Sequence, residues 1–396
     1  MARSAGGGAA ETRRSPSALR APPPRERGGR GNAAPFLPLG TRGRWREAPE
    51  GACWKLFPLL ALAACHPAPA LDCNEPGVVC TIAGTGQLGF NGQDRAADDT
   101  WLFYPSALAW DADGNLLVDD FNNMLIRSLQ PDGSLVSVAG TNEHAYAIEG
   151  PALASPLENP FDIATDPAGG FYVAELHSAR ILRVDGGGSL TIVAGCGKIG
   201  YAGDGGPATK AFLSESSGVA VHEDGRVFIA DTDNDAIRVV DPDGTISTLK
   251  SGFAAPQHLR VFGDDLYVAE REAHTVRHID LGSGADDVVC GTGVAGFSGD
   301  GGSATEAQLA RPIGMTIGPD GNLYVADSEN NVIRRVDADG IIETVLGSPG
   351  ESGFDDLPIA IDEARLSDPA DVLFGPDGRL YVADMLNGAV RAVWLE

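Results

Sequence analysis

The chain reads Asn322-Leu-Tyr-Val-Ala-Asp-Ser-Glu-Asn-Asn-Val-Ile-Arg-Arg-Val-Asp337 at its clearest repeat. The first six residues of this stretch are one of six similar segments, each of which closes on an acidic residue. The segments span residues 115–120, 170–175, 226–231, 265–270, 322–327 and 379–384. Their closing acids are 55, 56, 39, 57 and 57 residues apart. Such repetition indicates an architecture built from one recurring supersecondary unit.

Each segment lies between further strand-like stretches. Before it come an apolar run and an Asp-Gly pair, such as Met315-Thr-Ile317 before Asp320-Gly321. Asp-Gly favours a tight hairpin because glycine adopts positive φ at little cost. After it come a third run, Val332-Ile-Arg-Arg-Val336, a glycine turn and a fourth run, Ile341-Ile-Glu-Thr-Val345. Four short antiparallel strands, repeated six times, predict an all-β, six-bladed β-propeller.

The two ends of the chain are predicted to meet in one blade. The last unit stops after three strands, at Ala389-Val-Arg-Ala-Val393. Near the other end, Val78-Val-Cys-Thr-Ile-Ala-Gly84 is similar to a fourth strand, which elsewhere ends Thr191-Ile-Val-Ala-Gly195. We therefore expect the N-terminal strand to complete the last blade as its outer strand, which removes an exposed edge.

The repeats resemble those of NHL-repeat six-bladed propellers across roughly residues 78–396. The segments Gly203-Asp-Gly-Gly-Pro-Ala208 and Gly299-Asp-Gly-Gly-Ser-Ala304 are similar to segments of bacterial NHL proteins and of the NHL domain of teneurins. The resemblance implies a closed ring. Because the family includes binding platforms, signalling domains and some enzymes, the resemblance specifies the fold closely and the function poorly.

Composition excludes several classes of protein. The chain has 396 residues, 29 basic and 55 acidic, and a hydrophobic content of 43%, which suits a folded core. Residues 1–50 carry a charge balance of +6, whereas residues 66–396 carry −33. Such an acidic body argues against nucleic-acid binding, which needs a cationic footprint. No stretch reaches the roughly 18 apolar residues that a membrane-spanning helix requires.

The N-terminal part of the chain is predicted to direct export. A basic head rich in Arg, Gly, Pro and Ala is expected to be disordered. One hypothesis is that the start codon of the chain is assigned too far upstream, so that the head is not part of the natural protein. The following short apolar run ends in small residues, as an export signal does. Its last residues, Leu62-Ala-Ala-Cys65, resemble the lipobox of bacterial lipoproteins, which implies lipidation of Cys65; an ordinary secretory signal is the alternative. The predicted boundaries are head 1–55, signal and lipobox 56–65, linker 66–77 and propeller 78–396.

The remaining cysteines fit an oxidising compartment. Cys73 and Cys80 close a short loop and are disulfide candidates. Cys196 and Cys290 lie in unrelated repeats and are predicted to be buried free thiols. No Cys-x-x-Cys pair suggests zinc.

The repeated acids have a structural and a catalytic interpretation. An arginine follows five of the six closing acids by seven residues. Because a position repeated in every blade cannot form one local site, we interpret the acids as hydrogen-bond acceptors for the turn that follows.

Each Gly-Asp-Gly-Gly segment offers one carboxylate, fewer than calcium needs, and is predicted to shape one face. The 39-residue interval lacks such a segment, so we expect a notch at the fourth blade.

A more specific set of residues comes from aligning the starts of the inner strands. The aligned ring near the channel mouth is Ala107, Asp162, Gly218, His258, Gly314 and Asp371. Its ionisable members, Asp162, His258 and Asp371, are the candidate ligand-binding residues. One imidazole and two carboxylates suit a metal or acid–base chemistry. However, they come from alternate blades, which predicts a wide separation, and solvated side chains at the mouth are the other interpretation.

Two enzyme families with this fold bear on the catalytic interpretation. In the amidating lyase, zinc-binding histidines directly follow the proline that opens an inner strand, and none of the six corresponding residues here is histidine. Gluconolactonase-like propellers hold calcium with axial acids and asparagines. The resemblance implies that Asp162 and Asp371 belong to that calcium-binding set, but the full set of acids and asparagines is missing from this sequence. The other histidines, 144, 177, 222, 274 and 278, are predicted to be scattered over the surface.

Together these patterns predict an exported, lipid-anchored monomer at the bacterial cell envelope. We expect a binding or scaffold platform for a protein, peptide or glycan, with no nucleic-acid partner and with membrane contact through the lipid anchor. The alternative is a metal-dependent hydrolase or lyase with its site at the channel mouth. No catalytic residue and no cofactor is assigned. Binding of calcium or zinc at the channel mouth is the alternative.

Overall fold

The computed structural model describes residues 71–355 and 358–395. Over these residues the strands form six antiparallel sheets. The inner strands of neighbouring sheets contact one another in a closed cycle, so the sheets are six blades around an axis. The predicted all-β propeller is confirmed. The basic head, the signal and Cys65 lie outside the described residues.

Each blade is ordered from the axis outward along the chain, except for the last strand of blade 6. The bounds, inner strand first, are Pro105–Trp110, Leu116–Asp120, Leu125–Leu129 and Ser134–Ala139 for blade 1; Pro160–Thr165, Gly170–Glu175, Arg180–Asp185 and Ser189–Ala194 for blade 2; Ser216–Val221, Val227–Asp231, Ala236–Val240 and Thr245–Ser251 for blade 3; Pro256–Phe262, Asp265–Glu270, Thr275–Asp280 and Asp286–Cys290 for blade 4; Pro312–Ile317, Leu323–Asp327, Val332–Val336 and Ile341–Gly347 for blade 5; and Pro369–Phe374, Leu380–Asp384, Ala389–Val393 and Val78–Ala83 for blade 6.

Short elements fill the connections between blades and several of the turns between second and third strands. Two-residue strands pair with the outer strand of every blade but the fourth: Arg95–Ala96, Gly150–Pro151, Gly206–Pro207, Gly302–Ser303 and Ile359–Ala360. The described helices are single 3₁₀ turns: Ala97–Asp99, Phe121–Asn123, Ala152–Ala154, Ala208–Lys210, Thr232–Asn234, Ala304–Glu306, Ser328–Asn330 and Met385–Asn387. Within the described ranges, no helix has the length and apolar character needed to cross a membrane.

The burial of each strand follows its place in the blade. The second strand of blade 3, Val227–Asp231, is buried at every position because neighbouring blades cover both of its faces. The outer strand of blade 1, Ser134–Ala139, alternates between buried and half-buried residues, as a strand with one solvated face does. We call the face with the inner-strand starts and the turns after the closing acids the upper face. The face with the Asp-Gly hairpins is the lower face.

The hydrophobic core is divided among the blade interfaces. Six clusters of buried side chains each join residues of two neighbouring blades. Between blades 2 and 3, for example, Ile181 packs in the same cluster as Val219 and Ile229. Every blade therefore depends on both neighbours for burial of its apolar faces.

The ring is closed by the N-terminal strand, as predicted. Val79 pairs with Val393, Cys80 with Ala392 and Thr81 with Arg391, in antiparallel register. The strand also pairs on its outer side with Ile359–Ala360, so it is no longer an open edge.

The cysteines are arranged around this closure and in two other blades. Cys73 and Cys80 form a disulfide with a Cα–Cα distance of 5.8 Å. Cys290 is a buried free thiol, and burial raises its pKa to about 12. Cys196 is free but only partly buried, which corrects the prediction of a fully buried thiol.

The fourth blade carries the expected notch. The connection from blade 3 lacks a two-residue strand, and a cavity of about 430 Å³ opens beside Gly252, Glu270 and Arg277. The Arg277 side chain is 26% exposed there, whereas Arg238 of blade 3 is fully buried. The short interval in the sequence therefore leaves part of blade 4 uncovered on the upper face.

Candidate functional site

The closing acids hold the upper turns together. In blade 3, Asp231 accepts hydrogen bonds from the backbone N–H of Ser214 at 2.7 Å and from Arg238 at 3.1 Å. Arg238 also pairs with Asp204 of the Gly-Asp-Gly-Gly segment and lies 4.9 Å from the ring centre of Tyr201. These acids and arginines link three parts of one blade, which agrees with the structural interpretation of the repeat.

Blade 2 departs from this arrangement. It has Leu182 at the position of the arginine, and Glu175 instead accepts hydrogen bonds from the backbone N–H of Glu158 at 2.8 Å and from the Ser178 hydroxyl at 2.5 Å. Burial raises the pKa of Glu175 to about 7, although these hydrogen bonds act in the opposite direction. Glu175 is therefore only partly ionised near neutral pH.

The three residues predicted for the channel lie together on the axis. His258 Nδ1 is 3.8 Å from Asp162 Oδ1 and 3.7 Å from Asp371 Oδ1. All three side chains are fully buried, which corrects the expectation of solvated groups at an open mouth. Their alternate blades do not separate them widely, because the inner-strand starts converge at the axis. Their role in ligand binding stays a prediction.

Two further residues, Arg260 and Asp119, lie with these three. We call the five residues the axial cluster. Neither of the added residues was predicted from the sequence. Arg260 donates hydrogen bonds to Asp162 Oδ1 at 3.3 Å and to Asp371 Oδ2 at 2.6 Å. Asp119, on the second strand of blade 1, is fully buried. It lies close enough to Asp162 for the charge of that carboxylate to raise the pKa of Asp119. The other five copies have alanine where Asp119 stands, and no other inner strand has a charged residue where Arg260 stands. These two departures from the repeat are the sequence features that could have identified Asp119 and Arg260.

The charges of the axial cluster are set by burial and by Arg260. Burial opposes ionisation of Asp371, but the Arg260 guanidinium and His258 outweigh it and hold the pKa of Asp371 below its ordinary value. Burial likewise opposes the charge of Arg260, yet the two aspartates raise its pKa. For Asp119, burial and the neighbouring carboxylates act in the same direction, so its pKa lies well above the ordinary value. Arg260 is therefore a buried cation that bridges the two carboxylates, and removing one partner of such a cluster is strongly destabilising.

The two axial aspartates also connect neighbouring blades. Asp162 of blade 2 accepts the backbone N–H of Val219 in blade 3 at 3.0 Å. Asp371 of blade 6 accepts the backbone N–H of Leu108 in blade 1 at 2.9 Å. Gly218 takes the corresponding position in blade 3, where an added Cβ would lie 1.9 Å from the Gln257 carbonyl oxygen. The ring of inner-strand starts is thus fixed by side-chain hydrogen bonds in some blades and by close backbone approach in others.

The residues of the axial cluster do not fit a metal ion. Arg260 already occupies the space between the carboxylates of Asp162 and Asp371, and a second cation would have to displace it. Arg260 also lines a cavity of about 210 Å³ that opens toward the lower face, whereas the aspartates do not reach that cavity. A molecule in the cavity therefore meets the guanidinium before the buried acids.

The structure brings two of the remaining histidines together, contrary to the prediction that they are scattered. His144 and His177 lie beside Glu158 on the upper face of blade 2. One ligand atom from each of the three lies within 4.8 Å of the other two. No sequence pattern pointed to this group, because His144 and Glu158 lie at opposite ends of the connection from blade 1, and His177 lies in a turn within blade 2.

The closed ring of six blades and the acids and arginines that support their turns define a propeller of the NHL type. The teneurin NHL domain family matches residues 76–257 and 259–362, which is more than half of the chain. The chain therefore belongs to the teneurin NHL domain family, and the resemblance found in the sequence is confirmed.

Individual relatives agree with this assignment. Teneurin-3 of Danio rerio is 29% identical over 379 residues, covering 81% of this chain and 13% of that protein. Teneurin-m of Drosophila melanogaster is 27% identical over 374 residues, with coverage of 81% and 13%. The chain thus spans 13% of the length of these relatives. An auxiliary nutrient binding protein from Bacteroides thetaiotaomicron shares the fold with a TM-score of 0.62 and 17% identity, covering 80% of this chain and 75% of that chain.

Proposed function

We propose that the protein is an exported, lipid-anchored propeller that serves as a rigid binding platform for a protein, peptide or glycan at the cell envelope. The contact surface in this proposal is the upper face, including the notch at blade 4. One observation carries the proposal: apolar side chains recur at the surface of that face. Leu88 is 38% exposed, Ile199 71% and Val294 56%. Exposed apolar groups concentrated on one face are typical of interaction sites.

Several aromatic residues of the upper face are supported by arginines. They stack on arginines at 4.7 to 5.7 Å from ring centre to guanidinium carbon, in the pairs Phe90 with Arg127, Tyr146 with Arg180, Tyr201 with Arg238 and Phe297 with Arg334. Three of these arginines are in turn anchored by a buried closing acid. A surface whose side chains are ordered before binding loses less conformational entropy when a partner binds.

Two further observations support the location and the binding role. The Cys73–Cys80 disulfide fits an oxidising compartment outside the cytoplasm. A protein with the same fold is described as an auxiliary nutrient binding protein, and a binding role for the present chain is consistent with that description. The buried, arginine-bridged axial cluster gives no support to the alternative of a hydrolase or lyase, since its acids are covered on all sides.

The proposal is tested by affinity capture from the envelope fraction of the source organism, with the full chain as bait. The test variant combines Leu88→Ser, Ile199→Ser and Val294→Ser on the upper face. The control combines Leu153→Ser and Ile341→Ser, which are exposed residues near the lower face. We expect one partner to be recovered in equal amount with the natural chain and the control, and lost with the test variant. Recovery of nothing, or equal recovery by all three, contradicts the proposal.

A further inference from the structure

Two imidazoles and a carboxylate converge on the upper face of blade 2. His144 belongs to the connection from blade 1, Glu158 precedes the inner strand, and His177 lies in the turn after the closing acid. The His144 side chain is 55% exposed and that of Glu158 12%, so the group is open to solvent on one side and supported by protein on the other. An ion can therefore reach these side chains without any rearrangement of the fold.

Three distances between donor atoms of this group are close to those within a small coordination sphere. His144 Nε2 lies 3.1 Å from Glu158 Oε1. The side-chain oxygen of Asn159 lies between the two rings, 2.7 Å from His144 Nε2 and 2.8 Å from His177 Nδ1. Tetrahedral zinc with bonds of about 2.0–2.2 Å holds neighbouring ligand atoms roughly 3.3 Å apart. The three distances above are slightly shorter than this spacing, and the ligand atoms of His144, Glu158 and His177 all lie within 4.8 Å of one another.

The group is particular to blade 2 and is not part of the repeated scaffold. His144 stands at the position that Leu88 takes in blade 1 and Ile199 in blade 3. His177 aligns with Asn122 of blade 1 and Asp233 of blade 3. The support of the turn does not require either histidine, because Glu175 and Ser178 make those contacts. The turn therefore does not depend on the imidazoles, whose ring nitrogens face Glu158 and Asn159.

We propose that His144, Glu158 and His177 bind one divalent transition-metal ion, with Zn²⁺ preferred. Two imidazoles and one carboxylate suit zinc, whereas calcium and magnesium prefer oxygen ligands throughout. The Asn159 oxygen lies next to the site, and a solvent molecule or a group from a bound partner can take the remaining position. The ion would join the connection from blade 1 to the upper turn of blade 2. This inference is independent of the binding platform, which does not require a metal.

The test uses the full chain, stripped with a chelator and titrated with ZnCl₂ by isothermal titration calorimetry. We expect one zinc-binding event that is weakened by more than about 100-fold in His144→Ala and in His177→Ala, beyond the loss usual for a supporting group. The matched control is His278→Ala, because His278 contacts two aspartates on blade 4 but no second imidazole. This control should bind zinc like the natural chain.

Two more measurements separate metal binding from a merely structural hydrogen-bond cluster. Co²⁺ bound at the site should give the visible absorption of a low-coordinate cobalt ion, and this signal should disappear in the histidine variants. Asn159→Asp adds a carboxylate, tolerates the positive φ of that position and should tighten zinc binding. The proposal is overturned if the natural chain binds no zinc, or if both histidine variants bind it as tightly as the natural chain.

Discussion

Arg260 is the residue on which the axial cluster depends, because its guanidinium lies between two buried carboxylates. Arg260→Met would leave Asp162 and Asp371 without this partner. We expect the free energy of unfolding to fall by about 3–5 kcal/mol, as it does when one member of a buried ion pair is removed. Adding Asp371→Asn should restore part of the loss, since it removes one unpaired charge and keeps an acceptor for Leu108. Urea denaturation measures both; equal losses in the single and double variants contradict the assignment.

Glu175 makes stability depend on pH. Burial raises its pKa from 4.5 to about 7, so the folded chain keeps this proton at pH values where the unfolded chain has released it. The contribution of the group to stability is therefore complete below pH 4.5 and is lost as the pH rises to about 7. Linkage gives a loss on the order of 3 kcal/mol. Glu175→Gln cannot ionise, so its free energy of unfolding should decline less across this window.

The measurement is the unfolding free energy of the natural chain and of Glu175→Gln across the same pH window. Only the difference between the two profiles reports on Glu175, because other buried acids titrate in both proteins. Glu306→Gln changes an exposed carboxylate and serves as the control, with a profile parallel to that of the natural chain. Parallel profiles for Glu175→Gln as well would show that Glu175 is ionised in the same way in both states.

Among the elements, the closing strand joins the two ends of the chain and is paired on both sides. Val79 pairs with Val393 on one side and with Ile359 on the other. A proline at this position removes a donor from a paired strand, so Val79→Pro should cost about 1–3 kcal/mol for the lost hydrogen bond. Ser303→Pro is the matched control, because blades 2 and 3 carry Pro151 and Pro207 at the same place.

Thermal and urea unfolding of the two proline variants distinguish these effects. Ser303 has φ −64°, which proline adopts without strain. Ser303→Pro should therefore leave stability unchanged or raise it by about 0.4–1 kcal/mol, through the unfolded state. If Val79→Pro is as stable as Ser303→Pro, the N-terminal strand does not close the ring.

The elements that sequence predicts well are those that the repeat specifies. The strands, the Asp-Gly hairpins, the closing strand and the notch all follow from aligned copies. Residues that depart from the repeat are harder to place, because their partners belong to other blades. Arg260 and Asp119 were missed for this reason, although both interrupt columns of small or uncharged residues. His144 and His177 were missed because they occupy different positions in the unit and meet only after blade 2 has folded.

At the scale of the whole molecule, closure makes the six blades interdependent. Each of the six core clusters is shared by two neighbours, and no blade among the described residues has a free apolar side. An open array of repeats can lose its terminal units first, since those units have one interface each. A closed ring has no terminal unit. Opening any interface therefore exposes apolar surface on two blades and weakens the remaining contacts.

This arrangement predicts that a substitution that weakens one interface between blades lowers the stability of all six blades. Ile229, between blades 2 and 3, and Ile333, between blades 5 and 6, are both fully buried in such clusters. Truncation of either to alanine should cost about 2–5 kcal/mol and should lower the hydrogen-exchange protection of strands in all six blades by a similar amount. Hydrogen exchange read by mass spectrometry resolves the blades separately. Loss of protection confined to the two blades beside each substitution would show that the blades unfold as independent units despite the closed ring.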